Sequence, residues 1–255
     1  MTQAPSRDSA LAESIARTAA EVLITTRREF LGEDLRSLKD AGDASAQAHI
    51  AARLAAEAPG DAVLSEEAKD TAERLSAQRV WIIDPLDGTR EFSESRDDWA
   101  VHVALWEGGD LTVGAVALGG PDTVLSSATV PAPPARPDGP IRIAVSRSRP
   151  PEIVNAVAEA LGATLIPMGS AGVKVCAVVT GEVDAYVHGG GQYEWDSAAP
   201  VAVARAAGLY TSRLDGSPLI YNEESPYLPD LVVCRPEFSA QILEAIANAE
   251  RKASE

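Results

Sequence analysis

The sequence predicts an α/β (α+β) protein built as two packed subdomains, residues 1–138 and 139–255. Three observations predict it. From residue 141 onward, short apolar runs alternate with amphipathic helical segments. Before that point, two segments of alternating polarity flank Gly108-Gly109-Asp110, the pattern of an antiparallel hairpin. Between the two regions, Pro131 to Pro140 carries five prolines and one glycine in ten residues, a composition that sustains neither helix nor strand.

Each element follows from local pattern. Leu11, Ile15, Ala19, Val22 and Leu23 recur at helical spacing within Ala10 to Phe30, with Asp8 or Ser9 as cap. Ala44 to Ala58 repeats the pattern, with Asp43 at its entry and Pro59-Gly60 at its end. Ala62 to Leu64 is a short strand, and Glu66 to Gln78 mixes loop and helix. Val80 to Ile83 reads as a buried strand, stopped by Pro85, which fixes φ and offers no N–H. Asp98 to Trp106 and Leu111 to Leu118 form the hairpin, and Thr123 to Thr129 another strand. Beyond the proline run, strands are expected at Ile141 to Val145, Thr164 to Pro167, Ala185 to His188 and Leu231 to Cys234. Helices are expected at Glu152 to Leu161, Gly172 to Thr180, Ser197 to Ala207 and Glu237 to Arg251.

Bulk properties narrow the function. A net charge of −16 excludes nucleic-acid polymers and anionic membranes as partners. An acidic protein can still bind a phosphorylated small molecule where bound cations invert the local field, so the charge points toward metal. No stretch is long and apolar enough to span a bilayer. Residues Met1 to Asp8 lack a basic-then-apolar leader pattern, and a cytoplasmic location is expected. Cys176 and Cys234 lie in apolar surroundings and read as small buried hydrophobes in a reducing compartment. With no CxxC and with His49, His102 and His188 scattered, a zinc site is not expected; His102 reads as a core residue on its strand.

Four segments deliver acids in suggestive settings: Gly42-Asp43, Leu64-Ser65-Glu66-Glu67, Asp84-Pro85-Leu86-Asp87 and Glu194-Trp195-Asp196. Each alone has a structural explanation. Asp43 and Asp196 can cap helices, with Pro200 in the first turn after Asp196, and Glu66 and Glu67 can be solvated loop charge. Together they supply oxygen ligands from several segments, as two or three Mg²⁺ ions require, and the Leu86 carbonyl can add one more. Gly88 and Thr89 follow at once, with backbone N–H groups free to hold a phosphate. The Thr89 hydroxyl, paired with Asp43, can take a proton from attacking water. The chemistry indicated is metal-assisted phosphate hydrolysis. Lys174, on an apolar helix, either snorkels to solvent or meets an anion. Arg90, and Arg147 with Arg149, either neutralise a second phosphate or pair with nearby acids.

Asp-Pro-Leu-Asp-Gly-Thr, the upstream Ser-Glu-Glu and the downstream Trp-Asp-Ser-Ala-Ala resemble the magnesium-dependent, lithium-sensitive phosphomonoesterases of the inositol monophosphatase superfamily. Gly169-Ser170-Ala171 and Gly181 to Tyr186 fit the same superfamily, and the order and spacing agree from about residue 10 to 235. Asp-Gly-Thr-Arg-Glu-Phe is similar to the Asp-Gly-Thr-Lys-Glu-Phe of its CysQ-type 3'-phosphoadenosine-5'-phosphate phosphatases. Ala144 to Ser148, Lys174, Arg96 to His102 and the Gly-Gly-Gly-Gln-Tyr-Glu-Trp run suit that branch, in its actinobacterial form. Two positions depart from the pattern. Ala46 and His49 stand where a Thr-x-x-Asp segment is usual, and Arg149 replaces a common histidine.

The resemblance implies a layered αβαβα sandwich with the site between the subdomains. It implies that Glu66 and Asp84 bind a first Mg²⁺, and that Asp84, the Leu86 carbonyl, Asp87 and Asp196 bind a second. Glu67 is implied as an outer or third-metal ligand. Gly88 and Thr89 would hold the phosphate, and Asp43 and Thr89 would activate water for direct in-line attack without a phosphoenzyme. Ser170, Lys174, Glu194 and Asp196 would face the leaving alcohol, with Ser146, Arg147 and Arg90 toward the rest of the substrate. The implied reaction is 3'-phosphoadenosine 5'-phosphate to AMP and phosphate, in sulfur metabolism, by a monomer or homodimer. The alternatives on the same residues are an inositol monophosphatase or fructose-1,6-bisphosphatase, or a non-catalytic regulator that binds a phospho-ligand.

Overall fold

The computed structural model describes residues 6–30, 34–120, 122–148 and 150–253; Arg149 lies outside them. Helices α1 (Arg7–Glu29) and α2 (Leu35–Glu57) form the first layer. The first sheet holds β1 (Ala62–Ser65), β2 (Arg79–Asp87), β3 (Ala100–Glu107), β4 (Asp110–Leu118) and β5 (Val124–Ser126) in chain order. Only its β1–β2 pair is parallel. A middle layer consists of α5 (Ala171–Thr180) and α6 (Glu194–Ala206). The second sheet contains β6 (Arg142–Ser146), β7 (Thr164–Met168), β8 (Ala185–Tyr193), β9 (Tyr210–Ser212) and β10 (Tyr227–Cys234), ordered β7-β6-β8-β10-β9. Helices α4 (Glu152–Leu161) and α7 (Ser239–Ala253) cover its outer face. The expected five-layer αβαβα sandwich is the observed one.

Strand periodicity sorts the cores. On β2, Trp81 and Ile83 pack with Ile15, Leu23 and Ile50 of the first helical layer, whereas Val80 and Ile82 face Val175, Val178 and Ala199 of the middle layer. Both faces of this sheet are covered, so its strands are apolar throughout rather than alternating. Each fully buried Ile or Leu contributes roughly 1.5–3 kcal/mol. Trp81 keeps its indole N–H satisfied by donating to Asp61 Oδ2 at 2.9 Å.

Several boundaries differ from the sequence expectation, and the differences build the site. Helix α2 starts at Leu35, not Ala44, because Asp34 caps it by accepting from the N–H groups of Arg36 and Ser37. Asp43 therefore lies inside a helix and caps nothing. Gly42 interrupts the helical pattern in sequence but is required there: a Cβ would sit 2.9 Å from Phe92 Cε1. Strand β2 does not stop at Pro85. Its register against β3 slips between Asp84 and Asp87, and this bulge accommodates the proline without a ladder hydrogen bond. Strand β8 runs on through Gly189 to Gly191, held by β10. Helix α6 opens at Glu194, three residues early, so Pro200 lies in its second turn and Tyr193, not Asp196, is the N-cap. Helix α3 (Thr89–Ser93) and strand β9 were not anticipated.

Asp184 ties the proline-rich connection to the second sheet. It is fully buried and faces Arg142 at 2.9 Å, Arg136 at 3.3 Å and Arg235 at 3.4 Å. Arg235 also donates to the Pro134 carbonyl and Arg136 to that of Pro140. Burial raises the Asp184 pKa, but the Arg142 hydrogen bonds outweigh it and leave the value below the ordinary 3.8. Its stabilisation is therefore complete above pH 3.8 and is lost as pH falls through the lowered value. Asp184→Asn is expected to cost about 3 kcal/mol, since three arginines lose their shared counter-charge. A chemical denaturation curve at pH 7 measures this; a change below about 0.5 kcal/mol would show the clamp to be idle.

Candidate active site

The site forms where β1, β2, α5 and α6 end or begin. The bulge at Asp84 turns its carboxylate back so that Oδ1 accepts from Leu86 N–H at 3.0 Å. Asp87 closes the strand. Its Oδ1 accepts from Ala171 N–H at 3.1 Å and its Oδ2 from Gly172 N–H at 2.6 Å, which fixes the start of α5 against the first sheet. Asp196 is the third residue of α6, and its Oδ2 accepts from Tyr193 N–H at 2.7 Å. These three carboxylates converge: one oxygen from each lies within 4.8 Å of the others.

 The convergence comes from topology alone, β2 supplying Asp84 and Asp87 and α6 supplying Asp196.

The electrostatics of the cluster call for a cation. Asp84 is driven well above the ordinary carboxylate range by burial first, then by the charges of Asp87, Glu66 and Asp196. Asp196 is pushed up to about 6 by burial and then by Asp87. Glu66, open to solvent on one side at the end of β1, is pushed up to about 7 by the protein around its carboxylate, then by Asp196, Asp87 and Glu67. Asp87 is the exception. Burial raises it, but the His102 hydrogen bond and charge and the Gly172 N–H together bring it down to about 2. Oxygen donors crowded this closely and repelling one another suit a hard divalent ion. The donor set therefore fits a hard divalent cation, the class to which Mg²⁺ belongs.

Around the cluster, the sequence-predicted residues separate into groups. Asp43 faces Thr89, whose hydroxyl lies 3.5 Å from Asp43 Oδ1 and 3.2 Å from the Leu86 carbonyl. Asp43 is pushed up to about 7 by burial and then by the Glu67 charge. Gly88 caps α3 at φ 88°, a left-handed conformation that a side chain would strain. A cavity of about 520 Å³ opens beside Asp87 and Asp196, and Gly88, Ser146, Ser170 and Lys174 also line it. Lys174 is buried and donates to the carbonyls of Gly169, at 2.6 Å, and Ser170. Burial lowers its pKa, against the pull of Asp87, Glu91 and Asp196.

Three predicted residues are turned elsewhere. Arg90 is exposed and pairs with Glu94 at 3.1 Å. Arg147 donates to Glu91 at 2.9 Å and Glu94 at 2.7 Å, at the edge of the cavity. Glu194 is buried, and its carboxylate accepts from Asn222 N–H at 2.7 Å and Glu223 N–H at 2.9 Å, so it anchors a loop behind Asp196. It lines a separate, larger hollow of about 660 Å³ that contains none of the three clustered aspartates.

His102 belongs to the site although its strand pattern reads as core. Its Nε2 lies 3.2 Å from Asp87 Oδ2 and its Nδ1 3.1 Å from the Trp195 carbonyl, which links β3, β2 and α6. A histidine that orients a ligand carboxylate in this way is a common outer partner of metal sites. Tyr186, His188 and Gln192 line the cavity as well; Tyr186 and Gln192 fall within sequence motifs, but no sequence signal gave any of the three a role.

Comparison with known proteins agrees with this geometry. The inositol monophosphatase family model matches residues 5–130 and 137–251. A 3'-phosphoadenosine 5'-phosphate phosphatase of Mycobacterium leprae is 51% identical over 261 residues, covering 96% of this chain and 95% of that protein. The 3'(2'),5'-bisphosphate nucleotidase CysQ of Escherichia coli is 32% identical over 230 residues, covering 84% and 94%. Among solved structures, CysQ from Bacteroides thetaiotaomicron superposes with a TM-score of 0.76 at 25% identity, covering 89% of this chain and 97% of that one. Inositol monophosphatase II from Staphylococcus aureus shares the fold, with a TM-score of 0.79 at 19% identity and coverage of 96% and 97%.

Proposed function

Because the chain belongs to the inositol monophosphatase family, we propose that it is a magnesium-dependent phosphatase that hydrolyses 3'-phosphoadenosine 5'-phosphate to AMP and phosphate. The observation that carries this reading is the meeting of Asp84, Asp87 and Asp196 at the edge of a substrate-sized cavity. Those three residues, with Glu66 and the Leu86 carbonyl, would hold two or three Mg²⁺ ions. When bound, the ions neutralise phosphate charge and supply Lewis acidity for hydrolysis.

The chain's own groups do the rest. Asp43, with a proton affinity matched to neutral pH, accepts the proton of the attacking water, and Thr89 orients that water. Gly88 and Thr89 present backbone N–H groups to the phosphate. The new O–P bond forms as the ester P–O bond opposite it breaks, so no phosphoenzyme is needed. Ser170 and Lys174 face the leaving alcohol, and Ser146 lies toward a second phosphate, with Arg147 held beside it by Glu91 and Glu94. Glu194 acts from behind, by fixing the start of α6. Two free, buried cysteines support a cytoplasmic setting. Among the described residues, no helix is long and apolar enough to cross a membrane.

Phosphate release from 3'-phosphoadenosine 5'-phosphate, inositol 1-phosphate and fructose 1,6-bisphosphate, with Mg²⁺ and with or without Li⁺, tests the proposal. The nucleotide is expected to have the highest kcat/KM, and Li⁺ to inhibit. A tenfold preference for inositol 1-phosphate, about 1.4 kcal/mol, would reassign the substrate. Release from none of the three would favour a phospho-ligand binder without catalysis.

A further inference from the structure

Gln192 is buried on the cavity wall, and its side-chain Oε1 has no hydrogen-bond partner. The other end of the amide is fixed: Nε2 donates to Tyr186 Oη at 3.3 Å. Tyr186 is itself buried, with the Lys174 ammonium 5.3 Å from its ring centroid. Pairing of Gln192 with Leu228 in the β8–β10 ladder holds its backbone. The amide is thus a preorganised group with one unused acceptor, and an unpaired buried carbonyl is costly until a ligand supplies a donor. His188 Nε2 is a second unpartnered atom on the same cavity wall.

Position selects the donor. Gln192 immediately precedes Tyr193, whose N–H binds the Asp196 carboxylate at 2.7 Å. Gln192 also lines the same cavity as Asp87 and Asp196, and its partner Tyr186 lies within reach of both their charges, which sets the amide on the carboxylate side of the cavity. We propose that Gln192 accepts a hydrogen bond from the hydroxyl on the carbon adjacent to the phosphate ester, and so selects phosphoesters with a neighbouring hydroxyl. In 3'-phosphoadenosine 5'-phosphate that group is the ribose 2'-hydroxyl. The inference rests on the phosphatase reading and adds to it a discriminating residue.

A substrate–variant cycle tests it. Wild-type enzyme and Gln192→Met are each assayed with 3'-phosphoadenosine 5'-phosphate and with its 2'-deoxy counterpart, with Mg²⁺. Removing either partner is expected to lower kcat/KM about 30-fold, and removing both should cost no more than removing one. An unchanged thermal midpoint for the variant shows that its fold is intact. Independent, multiplying losses would overturn the inference, as would a wild-type enzyme indifferent to the 2'-hydroxyl. If the wild type hydrolyses inositol 1-phosphate and not the nucleotides, the substrate reading falls instead. The same cycle, run with inositol 1-phosphate and an analogue lacking the adjacent hydroxyl, then decides the role of Gln192.

Discussion

Asp84→Asn is expected to lower kcat by about 10³-fold or more while making the metal-free protein more stable. Both effects have one origin. Asp84 is almost fully buried beside Asp87, Glu66 and Asp196, and its pKa is raised first by that burial and then by their charges. A carboxylate whose folded pKa is raised contributes full stability only below its unfolded value of 3.8, and loses that contribution as pH rises through the folded value. At neutral pH the metal-free protein therefore bears the cost of a carboxyl that ionises freely when unfolded and resists ionisation when folded, and asparagine removes that cost. Asparagine keeps an oxygen near Leu86 N–H, so the bulge survives. The charge that attracts the cation does not.

Thermal melts with and without Mg²⁺ separate the two effects. Wild type should gain stability on adding Mg²⁺, because a ligand that binds only the native state raises the midpoint. Asp84→Asn should begin higher and gain little. Retained turnover in the variant, or an equal Mg²⁺ shift, would remove Asp84 from the metal site.

The acidic motif was legible because it lies on a short apolar run with proline and glycine at fixed offsets, a local signal. What the sequence hid was set by tertiary contacts. Gly42 looks like a break in a helical pattern, and only the close approach of Phe92 shows why the helix tolerates it. His102 has an ordinary core position on a buried strand, and its role depends on the slip in β2–β3 register that brings Asp87 against it. The Gly189 to Gly191 run reads as a strand end, yet pairing with β10 extends β8 to Gln192 and Tyr193. Arg90 and Arg147 were legible as cations near the motif, but nothing in the chain announced that Glu94 would engage both.

Asp43→Asn is expected to separate water activation from metal binding. Asp43 projects from the interior of α2, and the packing of Gly42 on Phe92 brings that helix close enough for Asp43 to reach Thr89. Its oxygen is 3.5 Å from the Thr89 hydroxyl, and it is not one of the three clustered carboxylates. A general base contributes about 10²–10⁴-fold, so kcat should fall by that factor. KM should change little, since the phosphate and alcohol contacts lie on other residues. The Mg²⁺-induced rise in thermal midpoint should persist at its wild-type size, unlike that of Asp84→Asn. Loss of that rise would make Asp43 a metal ligand, and undiminished kcat would assign proton removal to another group. The two asparagine variants thus remove comparable activity for different physical reasons, and the Mg²⁺ shift tells them apart: absent where a ligand charge is gone, intact where only the proton acceptor is gone.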